Sequence, residues 1–165
     1  MLRQAVIALA FLSSAAAGAT EPVGCDKFKW PLDSERALLA TPAPAKSGDT
    51  LRASLVHAVD ITLVPFATAK LPLAPQHAPK AAESFAGFVH IGAPPKAGVY
   101  RITLAQAAWI DVVQDGREVA SSAFSGALGC RGVRKSVKFQ LKSEPFIIQV
   151  SGTTAHSVTL VVTPD

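Results

Sequence analysis

The chain is short of charge, cysteine, aromatic rings and long apolar runs, and each shortage narrows what it can be. Only 17% of its 165 residues are charged against 49% hydrophobic, a balance that excludes disorder and demands a folded core. Two cysteines, Cys25 and Cys130, form no Cys-x-x-Cys, so neither a redox dithiol nor a paired-thiolate metal site is written locally. No Gly-x-Ser-x-Gly exposes a nucleophilic serine, and no Gly-x-x-x-x-Gly-Lys cradles a phosphate. The four histidines, His57, His77, His90 and His156, are scattered with no His-x-His pair. No catalytic residue, metal ligand or cofactor is therefore assigned.

What is present begins at the N-terminus. Arg3, an apolar run from Ala5 to Leu12, and Ala17-Gly18-Ala19 form the pattern of a secretory signal peptide. The run is too short to cross a bilayer. A mature protein starting near Thr20 is expected, periplasmic or secreted, with no membrane span. Removing nineteen residues leaves 146, one domain's worth, able to bury a core without metal or multiple disulfides. In an oxidising compartment the expected bond is Cys25–Cys130, closing about a hundred residues of chain. The formal charge of +4 falls to +3 when Arg3 is lost with the leader. That permits attraction to acidic polymers without requiring it, and nucleic acid is not an expected partner.

Residues 20–45 read as a lead-in. Asp33 is the expected N-cap of a short helix through Leu39, with Glu35 favourable in its first turn. Phe28, Trp30, Leu38 and Leu39 are expected to plug one end of the domain. Residues 46–165 read as strands. Thr50–Val56 and Val59–Val64 come first, then a Pro- and Ala-rich loop over 65–80 and a strand over 85–91. Tyr100, Ile102 and Leu104 alternate with Arg101 and Thr103, giving one buried and one solvent-facing side. Trp109–Val113 is more continuously apolar, as suits an interior strand. Asp115-Gly116 is a two-residue hairpin turn into Arg117–Val119. Ser122 and Ser125-Gly126 read as part of a small-residue loop, a flexible connection. Strands follow over Val133–Leu141, Phe146–Val150 (closed by Gly152) and Val158–Val162. Eight or nine short strands and little helix predict an all-β antiparallel two-sheet sandwich.

The segments Gly98–Leu104, Trp109–Gly116, Pro145–Gly152 and Val158–Val162 together resemble bacterial pre-peptidase C-terminal domains. That resemblance implies a jelly roll related in shape to carbohydrate-binding modules. Pro145-Phe146-Ile147 stands where that family carries Gly-x-Tyr-Tyr, and the domain is expected to stand alone, without the enzyme to which such domains are appended. The opening Cys25-Asp26-x-Phe28-x-Trp30-Pro31-Leu32 resembles small uncharacterised exported proteobacterial proteins, which implies an envelope setting.

Two binding surfaces are expected. In the basic series Arg131, Arg134, Lys135, Lys138 and Lys142, the residues Arg134, Lys138 and Lys142 share strand parity with Ser136 and Gln140, lining either an outward face for an anionic polymer or a lysine-protected edge. Trp109, on the strand face of Asp111, is either a sugar-stacking platform or a core ring. The leading expectation is a non-enzymatic binding or accessory module of the envelope, its ligand a glycan or anionic polymer. A metal-dependent cupin-like enzyme such as a dioxygenase, and a structural or assembly protein with an envelope partner, are the alternatives.

Overall fold

The computed structural model describes residues 20–52, 57–81 and 83–165. The leader pattern, and most of the strand expected over Thr50–Val56, lie outside them. Twelve strands are present among the described residues: β1 (Ala43–Lys46), β2 (Thr50–Leu51), β3 (Val59–Thr62), β4 (Val64–Pro65), β5 (Phe85–Ile91), β6 (Gly98–Leu104), β7 (Trp109–Gln114), β8 (Arg117–Val119), β9 (Ser121–Gly126), β10 (Lys135–Leu141), β11 (Phe146–Thr153) and β12 (Ser157–Pro164). Sheet I runs β1-β3-β12-β6-β10-β9 and sheet II runs β2-β5-β11-β7-β8, with β4 also on β5. Within these, β3-β12-β6-β10 facing β5-β11-β7-β8 is the strand order of a jelly roll. The all-β two-sheet sandwich is thus present.

Its sheets are not wholly antiparallel. β1 pairs parallel with β3 and β2 parallel with β5. Both come from one short segment that turns at Gly48, where φ is 96° and the amide bonds Phe88 O at 2.7 Å. The segment joins sheet I and then sheet II, closing one side of the sandwich.

Between the sheets lies the main core. Ile61, Tyr100, Ile102, Leu104, Val137, Phe139, Leu141, Leu160 and Val162 of sheet I meet Val89, Ile110, Val112, Phe146, Ile148 and Val150 of sheet II. The period-2 pattern produces this directly, since alternate residues point to one face. Asp115 (φ 53°) and Gly116 (φ 69°) form the expected tight turn between β7 and β8. Gly152 does not end its strand. It sits at φ 67° in a bulge between Val150 and Thr153, and β11 continues past it.

The side of β6 expected to face solvent is covered. Thr103 and Ser136 are both fully buried, because the lead-in lies across the outer face of sheet I. Trp30 Nε1 donates to Ser136 Oγ at 3.1 Å, and Thr103 Oγ1 donates to the same oxygen at 2.9 Å. Leu32 and Leu39 pack there with Val133, Val161, Phe28, Trp30 and Leu38 in a second apolar cluster. The lead-in therefore covers a sheet face instead of plugging an end. The helix α1 (Asp33–Leu39) begins at Asp33, and its N-cap, Leu32, makes no side-chain cap bond. Asp33 instead lies 3.7 Å from Arg36. Cys25 and Cys130 are disulfide-bonded across a sequence separation of 105.

Candidate functional site

The side of the sandwich opposite the β1–β2 closure is open. β8 is three residues long and pairs with Val112, Val113 and Gln114, so among the described residues Trp109–Asp111 lie at a free edge of sheet II. In sheet I, β9 extends one strand beyond β10. Phe124 is in register with Val137, a core residue, and cross-strand partners share a face. Phe124 therefore occupies a core-facing position, yet it is 61% exposed because sheet II stops short of it. Ordinary exposed apolar residues need no explanation, but a large ring on the unfinished side of a core marks a surface left for something else.

Two cavities meet at this ring. The inner one, about 250 Å³, enters between the sheets and is lined by Trp109, Asp111, Lys135, Val137, Phe139 and Phe124 among others. The outer one, about 390 Å³, runs from Phe124 and Lys135 to Lys29, Lys27, Arg134 and Glu21. Phe124 and Lys135 belong to both.

Lys135 is a cation on an apolar face. It shares parity with Val137 and Phe139, its Nζ donates to Ala108 O at 3.3 Å, and the same Nζ lies 4.7 Å from the centre of the Trp109 ring. Burial pushes its pKa below the ordinary lysine value and neighbouring Arg134 adds to this, while Glu21 and Asp111 oppose. Lys29 lies 5.1 Å from the centre of Phe124, and its backbone N–H donates to Ser125 Oγ at 2.9 Å. Among the described residues neither Lys29 nor Lys135 has a carboxylate partner.

Trp109 is half-buried, and its surroundings hold it rigidly. Its Nε1 donates to Asp111 Oδ1 at 2.7 Å, and Gln149 Nε2 donates to Asp111 Oδ2 at 3.3 Å. Gln149 in turn holds the proline-rich loop: it accepts from Leu73 N at 3.2 Å and donates to Leu73 O at 3.1 Å. The loop brings His77 to Trp109, ring centres 3.8 Å apart and nearly edge-on. Asp111 is thus a buried acceptor, engaged on both oxygens.

The cations expected to form a binding face are differently placed. Arg134 lies just before β10 and bonds Glu21 through both carboxylate oxygens, at 2.6 and 2.7 Å. Lys138 bonds Asp165 at 2.7 Å and sits 4.6 Å from the centre of the Trp30 ring. Lys142 is bonded to Asp115; that hydrogen bond raises the lysine pKa and lowers the aspartate's. Each charge is matched, and Ser136 between them lies under Trp30, so they do not make one bare basic face. β10 is not an edge strand either, since β6 and β9 flank it. Of these residues only Arg134 reaches the open side. Trp109 reaches it too.

Lys135 belongs to the basic series by charge, but strand pattern singles out neither it nor Phe124. The signal for Lys135 was its position among Val133, Val137, Phe139 and Leu141, where a lysine on the apolar parity is an anomaly. Phe124 was hidden because Ser121–Gly126 reads as a small-residue connection, whereas β10 supplies the pairing that makes it a strand. The histidines stay apart: His77 on Trp109, His90 beside Phe88, His156 against Phe85, and His57 elsewhere. Among the described residues no three of His, Cys, Asp and Glu gather as a metal site, and no helix is long and apolar enough to cross a membrane.

Compared with models of protein families, with curated proteins and with solved structures, the chain matches none.

Proposed function

We propose that the protein is an exported, non-enzymatic binding module of the cell envelope, and that its ligand is an anionic glycan held on the open side of the sandwich. The observation that carries this reading is Phe124, exposed at a core-facing position and flanked by Lys29 and Lys135. An aromatic ring offers a sugar its flat apolar face, and two cations without carboxylate partners among the described residues offer charge to a uronate or sulfate. Ser125 and Gly126 keep the strand narrow beside the ring. The leader pattern of residues 1–19 and the Cys25–Cys130 bond support the exported setting.

Calorimetric titration with an oligogalacturonate, against a neutral galactan of equal length, tests the reading. The acidic oligosaccharide is expected to bind and the neutral one not. Phe124→Ala should weaken binding roughly tenfold, the equivalent of about 1.4 kcal/mol of ring contact. Lys29→Ala should weaken it and flatten its salt dependence. Lys142→Ala should change nothing, because Lys142 lies at the far end of β10, seven residues from Lys135 and about 24 Å along the strand. Equal binding of the neutral glycan, or equal losses in Lys29→Ala and Lys142→Ala, would contradict it.

A further inference from the structure

The inner cavity has a chemistry that a glycan does not use. Its apolar lining includes Ile110, Val119, Val137 and Phe139, core side chains and one packed against them, which offer nothing to a hydroxyl. Such walls favour an apolar group. Its polar lining is Gln76, His77, Asp111, Ser121 and Lys135, and the carboxylate and the ammonium among them are of unequal availability. Asp111 has both oxygens engaged, by Trp109 Nε1 and Gln149 Nε2. Lys135 does not: an ammonium has three N–H donors, and among the described residues its only hydrogen-bond acceptor is Ala108 O. Ligand pockets for drug-sized molecules begin near 300 Å³. At about 250 Å³ the space suits one ring and excludes a long acyl chain. Trp109, Phe124 and Phe139 supply ring faces and edges around it.

We infer that the inter-sheet cavity is a binding site for a small aryl carboxylate, with the aromatic ring between the sheets and the carboxylate on Lys135 Nζ. The site shares Phe124 and Lys135 with the glycan surface but differs from it in what it recognises, and it does not rest on that reading. Its position has a structural cause. Because β8 is short, the edge of β7 at Trp109–Asp111 is unpaired among the described residues, and a ring entering there covers the side that β8 leaves open. The lowered pKa of Lys135 fits a cation kept partly desolvated for a ligand anion.

The experiment is a titration of the protein with 3-phenylpropionate, followed by methyl NMR of Ile110, Val119 and Val137. Acetate (the charge alone) and 3-phenylpropanol (the ring alone) serve as comparisons. Phenylpropionate is expected to shift these methyl signals with a Kd on the order of 1 mM or tighter, as befits about eleven non-hydrogen atoms. Acetate should leave them unmoved, and the alcohol should bind at least about tenfold more weakly, the weight of one charge-assisted hydrogen bond. Lys135→Met should abolish the preference for the acid over the alcohol, and Lys135→Arg should restore it. Val119→Phe, which fills the cavity from the edge strand, should block both ligands. The inference is overturned if the methyl signals stay still at saturating phenylpropionate, or if acid and alcohol bind alike. It is equally overturned if Lys135→Met keeps the preference. Failure of the oligogalacturonate to bind while phenylpropionate moves these methyls would remove the glycan reading and leave this one standing.

Discussion

Replacing Glu35 with alanine is expected to lower the stability of the protein by about 3–5 kcal/mol, the cost of leaving one partner of a buried ion pair behind. Glu35 is 1% exposed although it lies in the first turn of a seven-residue helix. Its Oε1 accepts from Thr163 Oγ1 at 2.9 Å and lies 3.1 Å from Arg101 Nη2. Arg101 also donates through Nη1 to Pro31 O at 3.1 Å, and its Nε lies 3.6 Å from Asp165. One guanidinium thus joins the lead-in, β6 and the C-terminus. With Glu35 gone, Asp165 is too distant and too exposed to compensate. Glu35→Gln should cost less, because it keeps an acceptor for Thr163. The paired variant Glu35→Met with Arg101→Met should lose less than the two single changes together, since an apolar pair removes both desolvated charges. Urea unfolding of the unchanged protein, the two Glu35 variants, the two single methionine variants and the methionine pair checks this. A loss under about 1 kcal/mol for Glu35→Ala would mean that the pair is solvated like a surface bridge.

The second large effect is expected from the disulfide. Changing Cys25 and Cys130 together to serine should cost roughly 2–5 kcal/mol, since the bond closes a loop of about a hundred residues in the unfolded chain. The loss should fall on the unfolded state first, because the lead-in keeps other anchors: Trp30 on Ser136, the cluster around Leu32 and Leu39, and the Arg101 bonds. Unfolding followed by the fluorescence of the two tryptophans should therefore stay a single transition at a lower midpoint. An unchanged midpoint on reduction would show that the unfolded chain is not restrained by the bond. A separate early transition at Trp30 would show that the bond alone holds the lead-in.

Much of the sandwich was legible because its strands carry a plain alternation. Tyr100, Ile102 and Leu104, then Val158, Leu160 and Val162, point to one face by spacing alone, and Asp115-Gly116 names its own turn. The pattern failed where a third layer intervenes. Arg101, Thr103 and Ser136 look like a solvent face in sequence, but Trp30, Pro31 and Glu35 cover them from more than sixty residues away. No local rule announces that contact. β9 was missed for a related reason: its residues have low strand preference, and pairing with β10 decides their state. β1 was missed as well, since its Ala-Pro-Ala-Lys sequence acquires strand character only from parallel pairing with β3.

The candidate site was half legible. Trp109 stood out by type, and Arg134 by charge, and both reach the open side. Which cations keep their charge available depended on partners remote in sequence: Glu21 for Arg134, Asp165 for Lys138 and Asp115 for Lys142. Surface pairs of this kind contribute little to stability, yet they change which charge a ligand meets. The open side follows from the lengths of β8 and β9 and from the order of the strands, none of which a single periodicity contains.

The most direct test of the central claim is a backbone amide NMR map of the protein titrated with the oligogalacturonate. Shifts should concentrate at Lys29, Phe124, Ser125, Gly126 and Lys135, with the amides around Lys138 and Lys142 unchanged. Shifts centred on Lys138, Gln140 and Lys142, with Phe124 and Lys135 unmoved, would place binding on the outer face of β10 and contradict the account.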